Sequence, residues 1–471
     1  MNEREISESS LSSIAESIRQ ERVSPVELIE VLFKRIERID GKLNSYVTLL
    51  KNEALKEAKD VEKQLKRGLY KGPLHGIPFA VKDVFATKGV RTTAGCRLFA
   101  DFIPDYDATP VERLKSSGAI LLGKLNTHEL ALGGLTDNKL FGQTKNAWDV
   151  QRITGGSSGG PATALAASLC FASLGTDGGG SIRIPAALCG VTGFKPTYGR
   201  VSRFGLVPVH WSLEHVGPIA KTAKDAAIIL TAIAGQDPKD YSTSSDAVPD
   251  YTASLSGDLE GVRVGYISQY SGEAADEEVD RSFRNALHVF EQLGASVTEV
   301  SIPVLRSGNI IRQIIIAGEA ACLLWDKVKV RASEIDRIAR RYLEFGALTL
   351  TTEYLKAQQL RSVFIQEMGK VFKKYDILLS PTTPATAARI DEKSITLRGK
   401  REDDFNDVFS RFNGAYNIAG LPSISTPCGF DSKGLPIGLQ IAGKAFDDAL
   451  VLNAAYTYQR KTNFESRVPN L

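Results

Sequence analysis

Three consecutive glycines run directly into a serine at "GTDGGGS", residues 175–181. A serine hydroxyl attacks a carbonyl only when a base takes its proton, and the attack leaves a negative oxygen that needs hydrogen-bond donors. Gly178, Gly179 and Gly180 let the backbone adopt conformations closed to other residues and come close to another group. Their N–H groups, with that of Ser181, form a nest suited to an oxyanion. Ser181 is therefore a candidate nucleophile, and Gly178, Gly179 and Gly180 are candidate donors.

The base is not local. No histidine lies in this cluster or in the preceding "GGSSGG", residues 155–160. His128, His210 and His215 are candidates from elsewhere in the chain. Lys82 is another. It sits in "GIPFAVKDVF", which reads as a buried strand, and desolvation lowers an amine's pKa. A shift of about 3 units would bring it near neutrality. A salt bridge between Lys82 and Asp83 is the competing reading, but neighbouring strand residues point to opposite faces.

Other chemistries fit less well. A P-loop requires a lysine after its last glycine, and neither glycine cluster has one. A dinucleotide fingerprint needs a preceding strand and an acidic residue about 20 positions on. Here the strand is poor, and Asp177 falls near that offset only as part of the second cluster. The five histidines show no metal-ligand spacing, and the five cysteines form no Cys-x-x-Cys pair. They read as reduced thiols of an intracellular protein. No metal and no cofactor are expected.

The elements that would position these groups follow from patterning. "SPVELIEVLFKRIERID" reads as a helix with Ser24 as N-cap, Pro25 at the first turn and Glu27 closing a capping box. "NEALKEAKDVEKQLKRG" reads as a second helix stopped at Gly68. Short apolar strands, helices and glycine-rich turns then alternate, the texture of an α/β fold with a mixed sheet covered by helices. The apolar run "PATALAASLCFASL", residues 161–174, reads as a helix joining the two glycine clusters. The segment 237–261 is polar and reads as a surface excursion, not a boundary. Residues from about 305 to 375 read as helical. This block and the excursion are expected to line the acyl side of the site. The C-terminal strands are "YDILLSPTTP", "SISTPCGF" and "GLPIGLQIAG". The chain is expected to form one domain over 1–471, with a helical segment, 1–70, packed on it.

Composition adds exclusions. Of 471 residues, 58 are basic and 55 acidic, so the charge balance demands neither nucleic acid nor an anionic membrane. The charged N-terminus lacks the apolar core of a signal peptide, and no run is long enough to span a bilayer. A cytoplasmic protein acting on a small-molecule amide is expected, with no direct nucleic-acid partner, no membrane partner and a possible homodimer.

The text from "GGSSGG" through "GVTGFKPTYG" resembles the amidase signature family, as does "PLHGIPFAVKDVF" upstream. The likeness continues through "GKLNTHELALG", "SLEHVGPIAKT", "DILLSPTTP" and "NIAGLPSISTPCGF", and so covers nearly the whole chain. It implies a central mixed β-sheet wrapped by helices and a Ser-cisSer-Lys triad. By motif, Ser181 matches the nucleophile, Lys82 the base, and Ser157 the proton shuttle that follows a cis peptide bond. Ser158, Asp177 and Arg183 match supporting positions. The resemblance departs at Gly178, where the family often has Thr or Ile; a missing side chain there would widen the pocket or loosen the loop.

Much of the chain, including "FKPTYGRVSRFGLV", resembles the glutaminase component of the glutamyl/aspartyl-tRNA amidotransferase, the branch that hydrolyses glutamine. Arg361 in "KAQQLRSVF" matches the arginine that holds the glutamine carboxylate there. An acid expected seven places before Asn417 is Ser410, and an expected tyrosine is replaced by Gln313 or Ile314. With one of three contacts present, the expectation is an amidase that hydrolyses a linear carboxylic amide to acid plus ammonia or amine. The alternative is the glutaminase subunit of a tRNA-dependent amidotransferase.

Overall fold

A computed structural model describes residues 3–471, with side chains from Glu5 onward. Thirteen strands occur among them: β1 Tyr46–Leu49, β2 Pro78–Lys82, β3 Ile120–Leu125, β4 Ala172–Asp177, β5 Thr192–Lys195, β6 His215–Ala220, β7 Arg263–Ile267, β8 Ser296–Val300, β9 Ile377–Pro381, β10 Ile395–Leu397, β11 Lys400–Glu402, β12 Ser423–Phe430 and β13 Pro436–Gly443. Eleven form one sheet in the order β1-β3-β2-β4-β6-β5-β12-β13-β9-β7-β8, while β10 and β11 pair separately. The sheet is mixed: β2 runs parallel to β3 and β4, whereas β4 to β13 alternate through antiparallel neighbours. This is the single-domain α/β architecture that the alternating pattern implies.

The central strands are buried on both faces. Every residue of β2, β3, β4 and β6 is buried, because helices cover the sheet on each side. The half-buried alternation of Phe79 and Val81 is thus replaced by a wholly buried strand. One hydrophobic cluster runs from Ile6 in the N-terminal helices to Tyr458 near the C-terminus. A smaller one, with Ile184, Leu188, Val408 and Phe409, lies beneath the site.

Two local readings are corrected. Ser24 caps the helix Pro25–Leu43 by accepting from the N–H groups of Val26 and Glu27, but no capping box closes. Its hydroxyl instead donates to Glu62 at 2.6 Å, which joins two helices. The run 161–174 is not one helix. The helix Gly159–Ala166 ends, Ser168 adopts a positive φ of 56°, and β4 begins at Ala172. Pairing of Ala172 with Phe79 of β2 overrides helix propensity there, since a short apolar run suits either element.

The excursion 237–261 contains no helix or strand. It is pinned nonetheless: the Asp237 carboxylate accepts from the hydroxyls of Thr109 and Ser202, each at 2.6 Å, and Tyr251 is buried.

Candidate active site

β2 and β4 lie side by side and parallel, so their C-terminal ends deliver side chains to the same edge of the sheet. Lys82 closes β2. Its Nζ donates to Ser157 Oγ at 2.7 Å and to Thr176 Oγ1 of β4 at 2.8 Å. It is fully buried, and burial lowers its pKa to about 8 against the opposing pull of the Glu214 and Asp177 carboxylates. Asp83 faces away and pairs with Lys124 at 3.1 Å. The Lys82–Asp83 salt bridge is therefore not formed, as the alternation of strand side chains requires.

Ser157 sits in the turn that opens the helix Gly159–Ala166, after a cis Gly156–Ser157 peptide. Its carbonyl accepts from His128 N–H and Thr127 Oγ1, each at 3.1 Å. Ser158 N–H donates to the Ser181 carbonyl at 3.2 Å and so ties the two glycine clusters together. The Ser158 hydroxyl donates to the Thr176 carbonyl at 3.2 Å.

The loop after β4 is organised by Asp177. Its carboxylate accepts from Gly180 N–H at 2.7 Å, Ile182 N–H at 3.1 Å and Asn417 Nδ2 at 2.8 Å. Arg183 grips both oxygens at 3.0 Å and reaches on to Gln440 Oε1 and Asn417 Oδ1, each at 2.7 Å. Burial opposes the Asp177 carboxylate, but the Arg183 guanidinium outweighs it and holds the group far below the usual range. Gly180 has a φ of 121°, which a side chain would strain, and a Cβ there would press on Ile184 at 2.6 Å.

One expected donor is corrected. Gly180 N–H is committed to Asp177 and cannot face an oxyanion. The N–H groups of Gly178, Gly179 and Ser181 have no protein acceptor among the described residues. Together they line a narrow cavity of about 50 Å³ that Ser157, Ile184, Arg312 and Ser410 also wall. Lys82 does not line it; the Ser157 hydroxyl stands between the amine and the cavity. A hydroxyl beside a neutralisable amine, a second hydroxyl and unpaired N–H donors in one small cavity is an arrangement that can perform acyl transfer.

The space opened by Gly178 is filled rather than empty. A Cβ there would meet His210 Cε1 at 2.3 Å, and His210 Nε2 pairs with Glu214 Oε2 at 2.9 Å. Burial would raise the Glu214 carboxyl, but His210 and Lys82 hold it below the usual range. Thus Gly178 does not widen the pocket. Among the candidate histidines, His210 lines the cavity, His215 is bound through Nδ1 to the Leu213 carbonyl at 2.7 Å, and His128 is buried with its pKa pushed down to about 4 by desolvation. No ring of the three bonds to Ser157 or Ser181.

Arg361 is also corrected. Its Nε donates to the Ile418 carbonyl at 3.0 Å and its Nη2 to the Ser212 carbonyl at 2.9 Å, and it lies outside the cavity. Those backbone contacts bind the helix Thr351–Val371 to its neighbours. The helical block does wall the cavity, through Arg312, Ile316 and Tyr342, whereas Lys239 and Asp240 of the excursion line an adjoining pocket. Thr176, Asn417, Gln440, His210 and Arg312 carry roles that sequence reasoning does not assign. Thr176 alone has a local signal, five residues before Ser181 on a strand parallel to that of Lys82.

The model of the Amidase family matches residues 27–452. The chain belongs to the amidase signature family. It is 40% identical to the glutaminase-family component named for glutamyl-tRNA(Gln) amidotransferase in Thermosynechococcus vestitus, across 96% of this chain and 98% of that protein. Its fold is similar to a chain from a vestigial protein complex bearing on the origins of an s-triazine catabolic enzyme, with a TM-score of 0.92 and 34% identity over 96% of this chain and 99% of that one. It is also similar to the corresponding glutamyl-tRNA(Gln) amidotransferase component of Thermotoga maritima, with a TM-score of 0.81 and 30% identity over 100% and 98% of the two chains. Membership makes this an amidase-type hydrolase, and no helix among the described residues is long and apolar enough to cross a membrane.

Proposed function

We propose that this amidase signature enzyme cleaves a primary amide through an acyl-Ser181 intermediate, as the glutaminase subunit of a tRNA-dependent amidotransferase. The hydrogen bond of 2.7 Å between Lys82 and Ser157, at the wall of the cavity that holds Ser181, carries the chemical part of this reading. Neutral Lys82 takes the Ser157 proton as Ser157 takes that of Ser181, and the Ser181 oxygen bonds to the amide carbon. The N–H groups of Gly178, Gly179 and Ser181 stabilise the oxyanion. The proton returns through Ser157 to the nitrogen, the C–N bond breaks and ammonia leaves. Water then hydrolyses the ester by the same relay. Ser158, Asp177 and Arg183 position the two loops.

The curated relatives support the amidotransferase part, since they carry that name at 38 to 41% identity over 96 to 98% of this chain. They favour it over the stand-alone amidase expected from the sequence. They also withdraw support from the expectation of no nucleic-acid partner, because tRNA and further subunits become candidate partners. A stand-alone amidase is the second reading. It is favoured by Arg361, which lies outside the cavity, and by Ser410, which stands where the amidotransferase pattern has an acid.

Ammonia release from glutamine, with and without the partner subunits and glutamyl-tRNA(Gln), tests the proposal. Release from glutamine that rises when the partners are added is expected. Turnover of other amides alone, and none of glutamine under either condition, would select the second reading; no release from any amide would sink both.

The base must be neutral to act, and its pKa lies at about 8. Activity is therefore expected to climb about tenfold per pH unit below that value and to level off above it. A kcat/KM profile that is flat from about pH 6 to pH 9 would remove Lys82 as the base.

A further inference from the structure

Arg312, in the helix Leu305–Arg331, reaches over the nucleophile loop and is 7% exposed. Its Nη2 donates to Asn309 Oδ1 at 2.6 Å and to Ser410 Oγ at 3.1 Å, both neutral partners. Its Nε is buried without an acceptor, and the guanidinium forms no ion pair among the described residues. The nearby acids are otherwise engaged: Asp407 with Asn309 and Arg411, and Glu214 with His210. Elsewhere in the site a buried guanidinium has its carboxylate, as Arg183 has Asp177. A buried cation without one is costly unless an anion arrives to meet it.

Its placement says where that anion would lie. A Cβ on Gly179 would come within 2.4 Å of Arg312 Nη1, and one on Gly414 within 2.9 Å of its Nε. The guanidinium is thus wedged between two bare backbones, and one of them supplies an oxyanion donor. We propose that Arg312 is the anchor for a carboxylate on the acyl part of the substrate. This rests on the reading that Ser181 attacks an amide carbonyl in the same cavity. Gly179 and Ser181 are two residues apart, a span of at most about 7 Å. The cavity is small as well, about 50 Å³. The carboxylate and the scissile carbonyl are therefore separated by two or three carbons, as in glutaramate or glutamine. An α-ammonium group would lie near the same cation, with Ser410 in place of an acid, so glutaramate is the better fit.

Values of kcat/KM for glutaramate, glutamine and uncharged pentanamide test this in the wild type, Arg312→Gln and Arg312→Lys. The wild type is expected to prefer glutaramate to pentanamide by about 100-fold, and Arg312→Gln to cut that preference to below about 10-fold, chiefly through KM. Arg312→Lys is expected to keep part of it. A wild type that hydrolyses both equally overturns the anchor and leaves amide hydrolysis standing. An Arg312→Gln variant that loses both equally, with an unchanged circular dichroism spectrum, overturns it too. If no amide is hydrolysed, the proposed function fails separately. Thermal stabilisation of Ser181→Ala by glutarate, lost on adding Arg312→Gln, would then support the anchor, and its absence would overturn it.

Discussion

Lys82→Met is expected to lower kcat near pH 8 by about 10³-fold and to abolish the rise of activity with pH. Among the described residues the amine is the only titratable group bonded to the Ser157 hydroxyl, and the cavity reaches it only through that hydroxyl. Methionine has a similar length and no basic atom. The change should not cost stability. A lysine whose folded pKa lies below 10.5, at about 8, binds fewer protons in the folded state than in the unfolded one between those values. Stability is therefore lost as pH falls through that window, and the buried amine costs roughly 3 kcal/mol below it. Lys82→Met is expected to melt at the same or a higher temperature at neutral pH. Steady-state ammonia release beside a thermal melt checks both parts; a variant that keeps within about tenfold of wild-type kcat would show that another base is used.

Arg183→Met is expected to have the largest effect on stability, about 3 to 5 kcal/mol. It leaves the Asp177 carboxylate buried, its charge unpaired, while Gly180, Ile182 and Asn417 still donate to it. Breaking one side of a buried pair is worse than removing both, since the cost lies in the uncompensated charge. Asp177→Asn combined with Arg183→Met should thus be less destabilised than the sum of the two single changes. Activity should fall as well, because Asp177 holds the Gly180 N–H and so the turn that presents Ser181. Denaturant midpoints for the four-protein cycle measure the coupling. A loss below about 1 kcal/mol in Arg183→Met alone would mean that the pair does not organise the loop.

Lys82 and Ser181 were legible for different reasons. Ser181 follows a glycine run whose backbone freedom is a local property, visible in four residues. Lys82 stands out because a cation in an apolar strand is unusual wherever the strand is placed. The helix expected over 161–174 shows the limit of such reading. Its first half is helical and its second half is β4, and the break at Ser168 follows from pairing with a strand almost a hundred residues earlier. Gly180 shows another limit. Its N–H is a candidate oxyanion donor in the sequence, but the closed loop gives it to Asp177.

The walls of the cavity were not legible at all. Arg312 and His210 arrive from a distant helix and loop, and nothing near them in the chain marks them as partners of Gly179 and Gly178. Arg361, which motif alone placed on the substrate, is turned to backbone carbonyls by the packing of its helix. By itself, the sequence determined the α/β class and the residue types able to carry the chemistry, because alternation, burial and backbone freedom are written locally. Only the tertiary structure decided which N–H groups stay free, which cation faces the cavity and what fills the space beside the nucleophile. Those depend on side-chain direction and on contacts between elements far apart in the chain.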